Sequence, residues 1–259
     1  MLAQQRQEAI LHRVRTAGGV RVTELAGEFG VSDMTIRRDL EALAERGLLA
    51  KVHGGATTAR PGSTDEPGFA AKSVRQRGEK AAIAAEAARL VTPGMAVALS
   101  AGTTTAELAH RLVAVPGLTV VTNSIPVAEI LHRSGRPDQT VVLTGGVRTP
   151  SDALVGPVAV AAIRSLHLDV VFLGVHGMSE RAGFSTPNLL EAETNRALVA
   201  AADRLVVLAD STKWATVGIS SFADLAEAEA VVSDSGLAEP DREVIRAAGP
   251  ELLVCEVPA

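Results

Sequence analysis

Residues 32–55 of this chain read SDMTIRRDLEALAERGLLAKVHGG, and they set Arg37 beside Arg38, with Thr35 just before and Lys51 and His53 after. A guanidinium offers five donors in a rigid fork that fits phosphate oxygens and the acceptor edge of guanine. Further on, Ser100-Ala101-Gly102-Thr103-Thr104-Thr105 joins small residues to hydroxyls. Gly102 would let the backbone close on an anion, while the threonine hydroxyls and the amides of a helix N-terminus donate to it. A plain strand-to-helix turn with a threonine cap uses the same residue types. Thr122-Asn123-Ser124 and Thr144-Gly145-Gly146 repeat such an ending, and Asp210-Ser211-Thr212-Lys213-Trp214 adds a cation that a phosphate would need. Three such endings on one rim favour a ligand site over three unrelated turns.

The arginines need a platform. Ile10, Leu11 and Val14 give residues 4–16 an amphipathic helical face that Gly18-Gly19 ends. Thr23 can cap a short helix, ELAGEF, which Gly30 closes in left-handed geometry. Ser32 caps the next helix, where Ile36, Leu40 and Leu43 turn inward and leave Thr35, Arg37, Arg38 and Glu41 outside. Two short helices joined by GVS predict a helix-turn-helix whose second helix presents its N-terminal end. Gly47 closes that helix, and LLAKVHGG predicts a strand and a Gly-Gly turn, a hairpin wing carrying Lys51 and His53.

Residues 57–78, TTARPGSTDEPGFAAKSVRQRG, show neither helical nor strand periodicity and read as a linker. The expected division is a head at 1–57, a linker at 58–78 and a body at 79–259. In the body, EKAAIAAEAARLV, TTAELAHRLV, IPVAEILHR, PVAVAAIRSL and EAETNRALVAAA read as helices. They alternate with the near-continuous apolar strands MAVALS, LTVVT, QTVVLTGG, LDVVFLGV, RLVVLAD, AEAVVSD and LLVCEV. That alternation predicts an α/β fold with a mostly parallel sheet covered on both faces. Ligands of such sheets sit beyond the carboxyl ends of the strands.

Composition sets outer limits. Charged residues at 21% and hydrophobic residues at 47% fit a globular chain, and aromatics at 2% leave the core to Leu, Val, Ile and Ala. The single cysteine, Cys255, makes no internal disulfide, and a cytoplasmic location follows as the default. No apolar run reaches 18 residues, so no membrane span is expected, nor a signal peptide in MLAQQRQEAILHRVR. The first 60 residues hold nine basic and seven acidic side chains, +2, against −7 for the rest of a chain of net charge −5. A basic head on an acidic body leaves room for a nucleic-acid surface. No His/Cys cluster has metal-ligand spacing, and no cofactor is expected.

SDMTIRRDLEALAERGLLAKVHGGA resembles the signature of the DeoR family of bacterial transcription regulators. SAGTTT, VVTNS, LTGG and LADSTKW resemble that family's effector domain, which is similar in fold to sugar-phosphate isomerases. The resemblance covers nearly the whole chain. It implies a winged helix-turn-helix head on operator DNA, with Arg37 and Arg38 in the recognition helix and Asp39 orienting an arginine. Thr23, Ser32, Thr35, Lys51 and His53 complete the expected DNA surface. It also implies a phosphorylated sugar or related metabolite as effector, its phosphate on SAGTTT. Ser100, Gly102, Thr103, Thr104, Thr105, Asn123, Ser124, Gly145, Gly146 and Lys213 are the expected effector residues. A repressor of sugar-metabolism genes, assembled as a homo-oligomer (dimer or tetramer), is the function that follows. An active isomerase fused to a DNA-binding head, or a DNA-binding protein whose body only oligomerises, are the alternatives. Against the isomerase, LDVVFLGV runs on into His176-Gly177-Met178-Ser179-Glu180, with no aspartate pair to serve as base and orienter. Glu191 and Glu193 would favour a helix N-terminus, or touch sugar hydroxyls.

Overall fold

The computed structural model describes residues 3–17, 19–45, 48–52, 54–57, 64, 66 and 68–257. His53, Gly18 and Gly47 lie outside them, as do residues 58–63, 65 and 67 of the expected linker. The chain divides into two compact units, Met1–Pro61 and Gly62–Ala259.

The first unit runs α1 (Ala3–Ala17), β1 (Gly19–Arg21), α2 (Val22–Phe29), α3 (Asp33–Glu45), β2 (Ala50–Val52) and β3 (Gly55–Thr57). Ile10, Val14, Leu25, Ile36, Leu40 and Leu43 meet in one core, so the helical periodicities of the sequence converge on a single interior. Gly30 ends α2 at φ +63 and sends the chain into α3. There the Ser32 hydroxyl accepts from the Thr35 amide at 3.2 Å, the cap that the sequence predicts. Thr23, by contrast, is not a cap: Arg21 holds that position, and Thr23 lies within the first turn of α2. Strands pair antiparallel in the order β1-β3-β2, so the wing hairpin gains a third strand from the segment before α2. The Gly-Gly pair has two separate reasons. Gly54 takes φ +80 in the turn, and a Cβ on Gly55 would lie 2.0 Å from the Val20 carbonyl oxygen.

One buried ion pair crosses this core. Asp39, on the inward side of α3, accepts from Arg6 Nε at 2.5 Å and from Gln7 Nε2 at 3.1 Å. The arginine that Asp39 orients is therefore on α1, not its neighbour in α3.

The second unit begins earlier than the sequence suggests. Phe69–Ser73 forms α4 and Arg77–Ala88 forms α5, so the expected linker is corrected from residue 69 onward: it is body. Phe69 packs on the body's core, an anchor that five helical residues are too few to announce by periodicity. There follow β4 (Ala96–Leu99), α6 (Thr103–Leu112), β5 (Thr119–Thr122), α7 (Ile125–Arg133), β6 (Thr140–Leu143), β7 (Val147–Arg148) and β8 (Leu154–Val155). Then come α8 (Pro157–Ile163), β9 (Val170–Gly174), β10 (Gly177–Ser179), β11 (Gly183–Thr186), α9 (Leu189–Ala200) and β12 (Leu205–Leu208). The unit closes with β13 (Ser220–Ala223), β14 (Ala230–Asp234), α10 (Glu239–Ala248) and β15 (Glu251–Cys255).

Seven strands form one sheet in the order β15-β14-β12-β9-β4-β5-β6. Every pairing in it is parallel. Val97, Leu99, Val120, Phe172 and Leu208 face one core, while Ala98, Val121, Val171, Leu173 and Val207 face the other. Both faces are covered, which is why these strands read as unbroken apolar runs. The sequence does not announce the antiparallel sheet β10-β11-β13 or the β7–β8 pair. Their strands have two to four residues, and Gly183–Thr186 is buried throughout, so no alternation marks it.

Removing one partner from a buried pair leaves the other charge uncompensated, at a cost of about 3–5 kcal/mol. Asp39→Ala is expected to lower stability by that order in urea denaturation. Replacing Arg6 and Asp39 together by Met and Leu should cost much less.

Candidate functional site

In the head, Ile36, Leu40 and Leu43 fix which side of α3 faces inward, and Arg37 and Arg38 come out on the other side, both exposed. Among the described residues no ion pair involves either arginine. Lys51 is different: its Nζ donates to Glu41 Oε1 at 2.8 Å, which keeps that carboxyl below the usual range. Thr35 is half-buried, its hydroxyl 2.9 Å from that of Ser32. Ser32 and Thr23 are exposed. In helix-turn-helix domains the N-terminal end of the second helix is the part that enters the major groove.

In the body, strand order changes direction at β4. Its successors β5 and β6 lie to one side, and β9, β12, β14 and β15 to the other. The crevice at such a reversal, outside the carboxyl ends, is where open α/β sheets bind ligands. Here it is framed by Ser100-Ala101-Gly102 after β4 and Gly174 after β9, and the Ser100 hydroxyl accepts from the Gly174 amide across it at 3.1 Å. Thr103, Thr104 and Thr105 open α6, whose first α-helical hydrogen bond runs from the Ala106 amide to the Gly102 carbonyl. The amides ahead of it have no intrahelical acceptor and point at the crevice's end of the helix.

The expected effector residues split into two groups. Asn123 is fully buried and spent on backbone: its Oδ1 accepts from the Ala101 amide at 2.9 Å, and its Nδ2 donates to the Leu154 carbonyl at 3.1 Å. Ser124 caps α7 by accepting from the Val127 amide, and the Thr105 hydroxyl donates to the Gly102 carbonyl. Gly145 and Gly146 make a turn at φ +73 and +123, and a Cβ on Gly146 would lie 2.6 Å from the Val155 carbonyl oxygen. These residues shape the rim. Among the described residues, Thr103, Thr104 and Lys213 have no side-chain hydrogen bond of this kind.

Lys213 ends a 3-10 turn, Ser211–Lys213, after β12. Asp210 fixes that turn by accepting from the Thr212 amide and hydroxyl. Two strand spacings, about 10 Å, separate β12 from β4. A lysine side chain and a phosphate can span that gap together.

Sequence reasoning missed the other cations. Lys80 is buried, and its Nζ donates to the Lys72 and Arg75 carbonyls, each at 2.6 Å, holding the bend between α4 and α5. Burial pushes its pKa down, and the neighbouring Lys213 pushes the same way against Asp210. Lys72 is likewise lowered by burial, Lys213 adding to the effect and Glu191 and Glu66 opposing it. Three lysines thus lie within each other's field. Glu191 is raised by burial while it accepts from Thr186 Oγ1 at 2.9 Å. Glu66 feels the same penalty from burial, but its bonds from Asn188 and Ser151, at 3.0 and 2.8 Å, bring it below the ordinary range. Lys72 and Glu66 lie in the stretch read as linker, where nothing in the spacing pointed to a site. Among the described residues no group of three His, Cys, Asp or Glu could hold a metal ion, and no helix is long and apolar enough to cross a membrane.

A helix-turn-helix with an outward arginine pair, joined to a parallel α/β body with a crevice where the strand order reverses, is the architecture of a DNA-binding regulator with a sensor domain. Residues 6–61 match the family described as DeoR-like helix-turn-helix domain, and residues 75–235 match the DeoR C terminal sensor domain. The chain belongs to the DeoR family of transcription regulators. It is 34% identical to the HTH-type transcriptional regulator GlpR of Haloferax volcanii, over 96% of each chain. It is 32% identical to the Lactose phosphotransferase system repressor of Staphylococcus epidermidis, over 92% of this chain and 95% of that one. Ribose 5-phosphate isomerase A from Methanocaldococcus jannaschii aligns over 53% of this chain and 54% of its own, at 17% identity and TM-score 0.38. The fold assignment rests instead on the strand order and the family.

Asn123→Ala is expected to strip the Ala101 amide and the Leu154 carbonyl of their buried partner, at about 1–3 kcal/mol for each group. Urea denaturation would read the loss, and Asn123→Asp should recover less than half of it, because a carboxylate cannot donate to Leu154.

Proposed function

We propose that this regulator is a repressor of sugar-utilisation genes, released or engaged by a phosphorylated sugar bound at the carboxyl rim of the body. The observation that carries this reading is the N-terminal turn of α6 at the carboxyl rim, where Thr103 lines one recess with Arg77 and Lys80. Helix-end amides replace the water shell of a phosphate, and cations offset its charge. In this reading the carboxylates Glu66 and Glu191 accept from sugar hydroxyls. The names of relatives, a lactose phosphotransferase system repressor among them, support a carbohydrate effector. Relatives that are transcription regulators, and the absence of an aspartate pair after β9, speak against turnover.

Residues 1–57 read the operator in this scheme, and the body senses the effector. Lys72 and Lys80 belong to α4 and α5, the first body helices along the chain, so a phosphate that draws on them acts on the segment leading out of the head. A ligand shifts DNA affinity only by its differential affinity for two arrangements of the protein. The head has a small basic surface, so the regulator is expected to act as a homo-oligomer in the cytoplasm, with half-sites about 34–36 Å apart or a multiple of that. Light scattering of a monomer at micromolar concentration, with and without DNA, would contradict this.

Arg37→Ala or Arg38→Ala is expected to weaken operator binding by about 1–3 kcal/mol, and mobility shifts on operator and random DNA separate a base contact from a phosphate contact. Thr104→Ala combined with Lys213→Ala is expected to keep operator binding and lose the response to sugar phosphates. A wild-type response from that double variant would place the phosphate elsewhere, and turnover of any sugar phosphate would favour the isomerase reading.

A further inference from the structure

Among the described residues of the head, the exposed large apolar side chains are Met34, at 61%, and Val52, at 52%. Single exposed apolar residues are ordinary. These two are not scattered. They border the same recess of about 270 Å³ between α3 and the β2–β3 hairpin, with Arg37, Glu41 and Lys51 on its margin.

Met34 is the second residue of α3 and precedes Arg37 and Arg38 by three and four positions. That spacing stacks the three side chains on one face of the helix. It is also the N-terminal end of the second helix, the part that meets base edges in a helix-turn-helix. The core positions of α3 are filled by Ile36, Leu40 and Leu43, and Met34 has no packing role among them. On the DNA side, the major groove presents donors, acceptors and a single apolar group, the thymine 5-methyl. A long, unbranched thioether one turn before two arginines suits that group, and it adapts to small differences in position.

We propose that Met34 is a specificity-determining residue, reading the 5-methyl of a thymine beside the base pairs that Arg37 and Arg38 engage. The inference rests on the reading that the outward face of α3 enters the major groove. Arg37 and Arg38 supply the polar part of recognition there, and Met34 supplies the apolar part that fixes one neighbouring base pair as thymine–adenine.

The test uses the full chain and a high-affinity site selected from a random duplex pool. Each thymine of the site is replaced in turn by uracil, which pairs identically but lacks the methyl, and affinities are measured at one salt concentration. At one thymine per half-site the wild-type protein should bind the uracil duplex about fourfold more weakly, the value of one buried methyl-sized group. Met34→Ala should bind both duplexes alike, at the wild-type affinity for uracil, while Met34→Leu should keep the discrimination. Three results would overturn the proposal: no thymine in the site discriminating, Met34→Ala still discriminating, or Met34→Ala weakening every sequence equally, as a sugar contact would. Arg37→Ala and Arg38→Ala run alongside. If neither weakens binding, the groove assignment of α3 fails and the Met34 proposal fails with it. If they do and uracil is neutral, only the Met34 proposal fails.

Discussion

The body depends on one buried carboxamide. Asn123 sits at the end of β5 and bonds at once to the loop after β4 and to the backbone at Leu154, so three segments far apart in sequence share one fixed point. Beside it, the Thr122 hydroxyl donates to the Leu99 carbonyl and accepts from the Ser124 amide. The loop that carries Gly102 cannot move without breaking these bonds in a place water does not reach. A phosphate site made mainly of backbone amides needs that rigidity, because amides contribute most when they are already pointed at the charge they will meet.

Polar groups around the crevice fall into those that build it and those available to a ligand. Ser100, Thr105, Asn123 and Ser124 are engaged with the protein's own backbone. Lys80 is held by the Lys72 and Arg75 carbonyls, with Lys72 and Lys213 close enough to add to the lowering of its pKa.

Much of this was legible in the sequence. The i, i+4, i+7 pattern of Ile36, Leu40 and Leu43 decides which side of α3 is wet, and so it decides where Arg37 and Arg38 point. The Val/Leu runs reveal a doubly covered parallel sheet because burial on both faces removes alternation. What stayed hidden has physical reasons too. FAAKS is too short to show a helical period, so nothing marks Lys72 within a stretch rich in Pro, Gly and Ser. The linear order does not tell whether a buried amide like Asn123 faces a ligand or a neighbouring carbonyl. Thr23 has the right chemistry for a cap but sits two residues past the position that uses it. The strands Gly177–Ser179 and Gly183–Thr186 are paired by tertiary context that no local propensity announces.

The Arg6–Asp39 pair has a consequence of another kind. Within Arg37-Arg38-Asp39, two side chains turn outward and the third inward, so α3 carries charge on opposite sides of its axis. An apolar stripe alone tolerates some roll, because one leucine can slide into the space of another. A carboxylate bound to a buried guanidinium has no such latitude, and turning α3 by a single residue would strand Asp39 and bury an arginine. The pair therefore acts as a key that sets the roll angle of the reading helix. A head selected for thermal stability alone would tend to exchange that key for well-packed hydrocarbon, and would keep its fold while the arginines lost their aim.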